Sequence, residues 1–404
     1  MGYNDGILLN KGNEMNIHFD KTYAGIGSRK LSKQNSKKLI TFAFVRALNG
    51  WVVTSGAADG SDMAFEVGAR LAYRLLNKLN PDLYPKNKYS LVQNVYIPWN
   101  NFNGRKNSEY KGYSSKISDA EFEIAMKYHP SGANMKDSLK TLMARNVLQI
   151  LGREHEGERV PVSEVICYTP DGAETKTTYK TGGTGQSIRI ANDYDIPVYN
   201  LSSENGLGYI EKVIADGVNW WNFEISPSEY VEKYIQQFNG FENSVKGNIL
   251  KTSKADLIIH GCNCFTNMGG GVARAISDKW PEVLEADEKT TKGDKNKLGS
   301  FTKAEVTLDN GKRATIINLY TQFEPSGSTE LLADYEAIRK GLKSINKEFK
   351  GKSVVFPKIG AESANGDWFT ISNIIRTELK DCKLMLVDFQ LVESFDTERL
   401  LIGE

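Results

Sequence analysis

Two glycine-containing segments in the last third of the chain carry residue types that suit a phosphate-bearing ligand. The first runs from the apolar residues 257–259 through Asn263 to Gly269, Gly270, Gly271 and Val272. Glycines between a strand and a helix allow close backbone approach and expose amide donors at the positive end of the helix, which suits a diphosphate. Asn263, at the strand end, offers a donor and an acceptor to a ribose hydroxyl.

The second segment, residues 356–368, also follows an apolar run and precedes a helical one. Its candidate ligand contacts are Lys358, Gly360, Ser363, Ala364, Asn365 and Gly366. Loops that follow parallel strands meet at one edge of a sheet, so we expect these two loops to clamp one ligand from both sides. A lone glycine triplet would favour a plain tight turn, whereas the matching pair favours a binding site.

Two side chains beside these loops are candidates for acid–base catalysis. His260 and Asp367 each flank a ligand loop. Each also has a structural alternative, because His260 on a strand can point into the core and Asp367 can cap the following helix. Lys358 either meets a phosphate or is solvated.

The first half of the chain holds three further polar, glycine-containing loops, each after a strand-like run. The candidate contacts are Gly25, Gly27, Ser28, Arg29, Ser55, Gly56, Asp59, Asp62, Arg145, Thr181, Gly182, Gly183, Thr184, Gly185 and Gln186. Backbone amides and an arginine fork are suited to phosphate. Single glycine turns are common in α/β folds, but three at successive strand ends favour a nucleotide site.

The elements that must position these loops alternate between strand and helix. Strands are predicted at Lys21–Ile26, Trp51–Thr54, Val95–Pro98, Val165–Tyr168, Pro197–Asn200, Ala255–His260, Ala314–Leu319, Ser353–Phe356 and Lys383–Val387. Helical periodicity lies between most of them, with one helix expected to begin at Ser187. This alternation predicts an α/β protein with ligands at the carboxyl ends of parallel strands.

The chain is long enough for two or three domains. We predict a doubly wound, Rossmann-like parallel sheet at residues 18–202, a packed connector at 203–240 that includes Trp220 and Trp221, and an α/β/α domain at 241–398. The connector is rich in aromatic residues, which indicates that it packs against a domain.

Composition narrows the class of protein. The net charge of +1 does not indicate an overall basic surface for binding nucleic acid. The apolar runs are too short for a membrane span. The N-terminus lacks a signal-like apolar segment, and four cysteines suit a reducing compartment, so we expect a cytoplasmic protein. Cys262 and Cys264 have no nearby partners to complete a zinc site, so neither a metal nor a cofactor is expected.

The C-terminal region resembles the macro-domain family, in its ADP-ribose-1″-phosphate-processing branch. The resemblance rests on residues 245–250, 260–273, 318–322 and 357–368. It implies that Asn248 and Ile249 contact adenine, that Asn263 holds the distal ribose and that the two glycine loops hold the diphosphate. Asn248 departs from the family, which often has an aspartate there, and this weakens the expected preference for adenine.

The N-terminal region resembles the SLOG superfamily, which includes the LOG phosphoribohydrolases and DNA-processing protein A. The resemblance rests on the three loops, residues 97–99 and 144–146. LOG enzymes have a catalytic glutamate after the last loop, whereas Gln186 is followed by Ser-Ile-Arg. Glu66 is a candidate substitute, although an exposed helix glutamate is the favoured interpretation. The resemblance therefore implies nucleotide binding and self-association.

Two nucleotide pockets on one chain suggest related ligands. The leading hypothesis is an enzyme for ADP-ribose-type, NAD-derived nucleotides, with the macro half acting as a hydrolase or phosphatase at the distal ribose. The first alternative is a non-catalytic protein that sequesters cyclic or linear ADP-ribose signals in phage counter-defence. The second is a nucleoside-monophosphate phosphoribohydrolase in the SLOG half. Neither membrane nor nucleic-acid partners are expected.

Overall fold

A computed structural model describes residues 17–217, 225–238, 240–325 and 330–389. The chain forms two compact units, the first ending at Gln237 and the second beginning at Phe238. The boundary falls inside the predicted connector, whose Trp220 and Trp221 lie outside the described residues.

The first unit is built on a parallel sheet. Its strands are β1 Lys21–Gly27, β2 Trp51–Ser55, β3 Gln93–Tyr96, β4 Tyr113–Ser114, β7 Glu164–Tyr168 and β8 Val198–Asn200, with a small hairpin of β5 Glu154–His155 and β6 Glu158–Arg159. Its helices are α1 Lys33–Leu48, α2 Ser61–Leu79, α3 Asp119–Tyr128, α4 Asp137–Leu151, α5 Thr184–Asp193, α6 Glu204–Asp216 and α7 Pro227–Gln237. The sheet order is β4-β3-β2-β1-β7-β8, and all neighbours are parallel.

Apolar side chains on both faces of this sheet explain its burial. Ala24 and Ile26 of β1 belong to the core formed with α3, α4 and α5. On the other face, Tyr23 packs edge-on against Phe42 of α1 and Phe65 of α2. Strands with two buried faces are typical of a doubly wound sheet with helices on both sides. The predicted fold class of this region is confirmed.

The two helices of the predicted connector, α6 and α7, pack on α1. Tyr230 of α7 stacks on Phe44 with ring centroids 5.2 Å apart, and Lys37 pairs with Glu232. Lys38 donates to Glu211 of α6 at 2.6 Å. These contacts tie both helices to the first unit.

The second unit is a three-layer α/β/α structure, as predicted. Its strands are β9 Ser244–Gly247, β10 Leu257–Asn263, β11 Phe301–Thr307, β12 Arg313–Gln322, β13 Ser353–Phe356 and β14 Lys383–Phe389. Its helices are α8 Gly271–Lys279, α9 Pro281–Glu288, α10 Tyr335–Glu348 and α11 Trp368–Glu378. The order is β11-β12-β10-β13-β14-β9, in which only β11 is antiparallel to its neighbour.

Alternation along β10 separates the two cores of this unit. Leu257 and Ile259 lie in the core that includes α10 and α11, whereas Ile258 and Cys262 lie in the core with α8 and α9. The carboxyl ends of the five mutually parallel strands meet at one edge of the sheet. The loops after β10 and β13, which are neighbouring strands, therefore lie side by side at that edge.

Candidate functional sites

The loop after β10, residues 264–270, is shaped by Asn263. The Asn263 Nδ2 donates to the carbonyl of Asn267 at 2.8 Å, and its Oδ1 accepts from the Phe265 amide at 2.9 Å. Thr266 has a φ of 54°, a left-handed conformation that the surrounding bonds hold in place. Asn263 thus organises the loop with both ends of its side chain, in addition to any contact with a ligand.

The glycine triplet ends this loop and opens α8. Gly269, Gly270 and Gly271 are exposed, and no described atom lies within 4 Å of a Cβ built on Gly270 or Gly271. Gly271 has a φ of 57°, and no described side chain caps the start of α8. Val272, in the first turn, packs partly against the core beside α8. The helix start therefore presents uncapped amide donors in open space.

The loop after β13, residues 357–367, folds back on itself. Gly360 has a φ of 68°, and its carbonyl accepts from the Gly366 amide at 2.8 Å. Asn365, with a φ of 55°, donates through Nδ2 to the carbonyl of Glu330 at 2.9 Å. The carbonyl of Ala364 accepts two backbone amides, and Ser363 is exposed beside it. The loop is preformed, with Ser363 available at its surface.

Charge at this edge is partly compensated within the protein. The Lys358 Nζ lies 3.6 Å from a carboxylate oxygen of Asp388 on β14, and both side chains are about one-fifth exposed. Asn248 follows β9, and its Oδ1 accepts from the Leu250 amide at 2.9 Å. Ile249 is fully buried in the core. The side chain of Ile249 therefore packs in the interior, whereas Asn248 is half-buried at the edge.

His260 takes the structural alternative rather than the catalytic one. It is 1% exposed, and its Nε2 lies 2.7 Å from Asn318 Oδ1. Asn318 donates through Nδ2 to Val283 and Thr302, so its Oδ1 accepts and His260 carries its proton on Nε2. Burial lowers the pKa of His260 to about 4. His260 is thus a buried, neutral imidazole whose Nε2 is engaged within the core.

Asp367 also takes its structural alternative. It is the N-cap of α11, where one carboxylate oxygen accepts from the Thr370 amide at 2.8 Å and from the Thr370 hydroxyl at 2.6 Å. The side chain is 3% exposed. This is the geometry of a stabilising N-cap, and it leaves the carboxylate turned toward the helix.

A buried ion pair that the sequence analysis missed reaches the loop after β10. The Lys297 Nζ lies 3.1 Å from Asp287 Oδ1 and 3.4 Å from Thr266 Oγ1 within that loop. Tyr320 donates to the same Asp287 oxygen at 2.6 Å, and Lys297 lies over the Tyr320 ring. Lys297 and Asp287 are 6% and 1% exposed. Asp287 lies in α9 and Lys297 in the segment between α9 and β11, and neither belongs to a recognisable sequence motif. Only the fold brings the two side chains together.

In the first unit, two of the three predicted loops converge. The Ser28 amide donates to Tyr168 at the end of β7, and Ser61 donates to the Ser28 carbonyl through both its amide and its hydroxyl. This joins the ends of β1, β2 and β7. Gly27, with Ser28, lies at this junction, and Arg29 is exposed beside it. Gly25 instead serves packing, because a Cβ there would lie 2.5 Å from the Phe65 ring.

Arg145 and Asp62 lie at the centre of this junction. The Arg145 Nη1 is 3.5 Å from Asp62 Oδ2, which also accepts from the amides of Gly56 and Ala58 at 3.0 and 3.4 Å. A Cβ on Gly56 would lie 1.1 Å from that guanidinium nitrogen, so any larger residue there must displace the guanidinium. Burial raises the pKa of Asp62 to about 6, although Arg145 opposes the shift. Asp59 is buried in the same loop.

The third predicted loop differs from the expectation. Thr181 is buried and donates to Asp171 at 2.6 Å, and only Gly182 and Gly183 are exposed. Helix α5 begins at Thr184 rather than Ser187, so Gly185 and Gln186 lie inside it. Gln186 accepts from Asn146, the neighbour of Arg145, at 3.1 Å, and is 1% exposed. Gln186 therefore contacts Asn146 in the interior instead of lying exposed in the loop.

The favoured interpretation of Glu66 as an exposed helix residue is wrong. Its side chain is fully buried. One carboxylate oxygen accepts from Arg105 through Nε and Nη2 at 3.2 and 3.1 Å and from Arg70 at 3.3 Å, and the other accepts from Ser55 at 3.0 Å. Arg105 is 39 residues away in sequence, which is why the local pattern could not reveal this pairing.

Within the described ranges, no three metal-binding side chains cluster, and no helix is long and apolar enough to cross a membrane.

Comparison with known proteins finds a matching family model and several similar proteins. The macro-domain family model matches residues 259–375. An uncharacterised 17.5 kDa protein from the tk-vs intergenic region of Enterobacteria phage T4 is 35% identical over 152 residues, covering 36% of this chain and 95% of that protein. The macrodomain of Thermus aquaticus DarG is 18% identical, covering 36% of this chain and 96% of that one, with a TM-score of 0.30. Thermosipho africanus DarTG in complex with ADP-ribose is 12% identical, covering 66% of each chain, with a TM-score of 0.30.

Proposed function

Since the chain belongs, through its second unit, to the macro-domain family, we propose that this unit binds an ADP-ribose-type nucleotide at the carboxyl edge of its sheet. One observation carries the proposal. The exposed glycine triplet at the uncapped start of α8 lies after β10, beside the preformed loop that follows the neighbouring strand β13. Uncapped amides between two such loops suit a diphosphate.

The size of the site also suits such a ligand. Adjacent strands are about 4.8 Å apart, so the four strands from β10 to β9 span roughly 14 Å of the edge. With the diphosphate at the loops after β10 and β13, one end of the nucleotide reaches Asn248 after β9. The other lies near Asn263. This orientation places the base near Asn248 and the distal ribose near Asn263.

The first test is calorimetric titration of ADP-ribose into the full chain and two matched variants. Gly270→Glu places a carboxylate where the diphosphate would lie, and Gly208→Glu places one on α6. Both glycines lack positive φ, and a Cβ at either position would meet open space. We expect Gly270→Glu to weaken binding at least tenfold and Gly208→Glu to leave it unchanged. An absence of binding to the unaltered chain would refute the assignment.

We further propose that this unit processes its ligand at the distal ribose, and we assign the chemistry to Lys297 and Asp287 rather than to His260 or Asp367. Lys297 lies 3.4 Å from Thr266 in the loop after β10 and is held there by Asp287, whereas the Nε2 of His260 is engaged with Asn318. A buried ammonium at this position can stabilise developing phosphate charge.

Mass analysis of ADP-ribose-1″-phosphate after incubation separates turnover from sequestration. A catalyst releases inorganic phosphate, and Lys297→Met abolishes that release while the exposed Lys303→Met does not. Recovery of intact ligand from a complex would instead support the alternative of a sequestering protein, which in a phage setting would serve counter-defence.

A second candidate function concerns the first unit, which we propose is a SLOG-type nucleotide-binding unit. The observation that favours it is Arg145. This guanidinium is 5% exposed, has its one ion pair among the described residues at 3.5 Å, and has no described partner for Nε. A buried cation with so few partners is costly unless an anion completes its hydrogen bonds. A phosphate is the expected anion.

The phosphoribohydrolase alternative for this unit needs an acid near the ligand. Because Glu66 is fully occupied by Arg105, Arg70 and Ser55, it does not supply a free carboxylate. Release of free base from AMP would nevertheless revive this alternative. Self-association through this unit is a further expectation, which light scattering of the full chain measures.

A further inference from the structure

An exposed tryptophan belongs to a turn that contacts the same loop as Arg145, the phosphate-binding candidate of the first unit. Trp99 is 43% exposed and lies three residues after the end of β3 at Tyr96. Its ring packs edge-on against Phe102, with centroids 5.3 Å apart. We propose that Trp99 is the stacking wall for a flat heteroaromatic ring, so that this site takes a nucleoside phosphate. This inference rests on the second candidate function.

The turn that carries Trp99, residues 99–105, is closed by its own backbone hydrogen bonds. Asn101, Asn103 and Gly104 have φ values of 72°, 47° and 74°. The amides of Phe102, Gly104 and Arg105 close successive turns onto residues 99, 101 and 102. Asparagine and glycine adopt left-handed conformations more readily than other residues, so this sequence favours the turn. Hydrogen bonds from buried side chains then hold the turn in place.

Glu66 is the residue that enforces this conformation. It binds Arg105 at the end of the turn with two hydrogen bonds, and Arg105 donates in turn to the Asn103 carbonyl at 3.2 Å. Glu66 and Arg105 are 0% and 7% exposed. The same carboxylate also accepts from Arg70 and Ser55, so it links the turn to α2 and to the end of β2. Glu66 and Arg105 are therefore positioning residues for the turn.

The turn is fixed against the same loop that holds Arg145. Asn103 donates through Nδ2 to the Ala57 carbonyl at 2.9 Å, and Phe102 packs in a cluster with Ala57 and Leu142. Leu142 precedes Arg145 by one turn of α4. Gly56, under the Arg145 guanidinium, is the neighbour of Ala57. Trp99 and Arg145 are thus both connected to the loop at residues 56–57, Trp99 through Phe102 and Arg145 through Gly56.

This arrangement matches the two chemical ends of a nucleoside phosphate. The guanidinium with an unpartnered Nε meets the phosphate, and the exposed indole meets the base. Stacking tolerates any base, because every base has a flat face. The site should therefore discriminate ligands with a ring from those without one, more strongly than one base from another.

The test compares AMP with ribose 5-phosphate, which carries the phosphate but no base. Both are titrated into the full chain carrying Gly270→Glu, so that the second unit does not contribute. We expect Trp99→Leu to weaken the binding of AMP at least fivefold and to leave the affinity for ribose 5-phosphate unchanged. Trp99→Phe should retain most of the affinity for AMP.

Two outcomes would overturn the inference in distinguishable ways. If AMP binding is lost in Arg145→Gln but not weakened in Trp99→Leu, the phosphate site stands and the stacking wall is wrong. If AMP does not bind, or binds independently of Arg145 in a variant whose circular dichroism is native, the second candidate function fails and the inference fails with it. Equal loss of both ligands in Trp99→Leu would indicate a purely structural tryptophan.

Discussion

Acidification should destabilise the second unit through His260. In the folded unit burial lowers the pKa of this imidazole to about 4. In the unfolded chain it titrates near 6.5, so the unfolded state takes up the proton first as pH falls. The stability that neutral His260 contributes is therefore complete above about pH 6.5 and is lost progressively down to about pH 4.

The magnitude follows from the difference between the two pKa values. A difference of about 2.5 units at about 1.4 kcal/mol per unit gives roughly 3 kcal/mol. The cause is burial of the imidazole, which the hydrogen bond to Asn318 opposes without overcoming it, and the added proton goes on Nδ1, which lies 3.6 Å from the Cys262 sulfur. Asp287 favours the charged form, but less than burial opposes it.

NMR titration of the histidine ring carbons of the full chain measures this pKa directly. His260→Gln identifies the resonance, since the glutamine amide can donate to Asn318 without titrating. Urea unfolding of the second unit at pH 7 and pH 4.5 should then show a larger loss of stability in the unaltered chain than in the variant. A His260 resonance that titrates near 6.5, or an equal loss of stability in both proteins, would refute the reasoning.

Two further substitutions test single contacts. Asp367→Ala removes the N-cap of α11 and should lower the free energy of unfolding by about 1–2 kcal/mol, while Asp367→Asn should lose less; denaturant titration measures both, and equal stability of the alanine variant would contradict the capping role. Gly56→Ala puts a methyl group where the Arg145 guanidinium lies and should reduce AMP affinity at least tenfold without loss of native circular dichroism; unchanged affinity would show that Arg145 does not contact the ligand.

The sheets and the positions of the glycine loops were predictable because they follow from local patterns. Apolar runs of strand length ending in glycine predict a loop at a sheet edge wherever they occur. The start of α5 was misplaced because Gly185, a poor helix former, lies in its first turn. Strand β11 was not predicted, although the burial of Ala304 and Val306 alternates with exposed Lys303 and Glu305. That period of two was a readable signal.

The roles of individual side chains were less predictable, because they depend on distant partners. The side of the sheet to which His260 points is set by the packing of α8 and α9, and its proton position by Asn318, 58 residues away. Glu66 is buried because Arg105 neutralises it across the fold. Lys297, between α9 and β11, comes close to the loop after β10 only because of the route that the chain takes in the folded unit. No local spacing encodes such pairings.

The pairing of β9 with β14 has a consequence for how the second unit assembles. The first strand of this unit forms its ladder with the last, in parallel, at the edge of the sheet. During synthesis β9 has no strand to pair with until β14 has been made, and β14 follows almost every other element of the unit. Contacts of such high sequence separation slow folding. Docking of β9, which is followed by Asn248, should therefore be a late step, so the proposed nucleotide site is completed only when the first and last strands of this unit have paired.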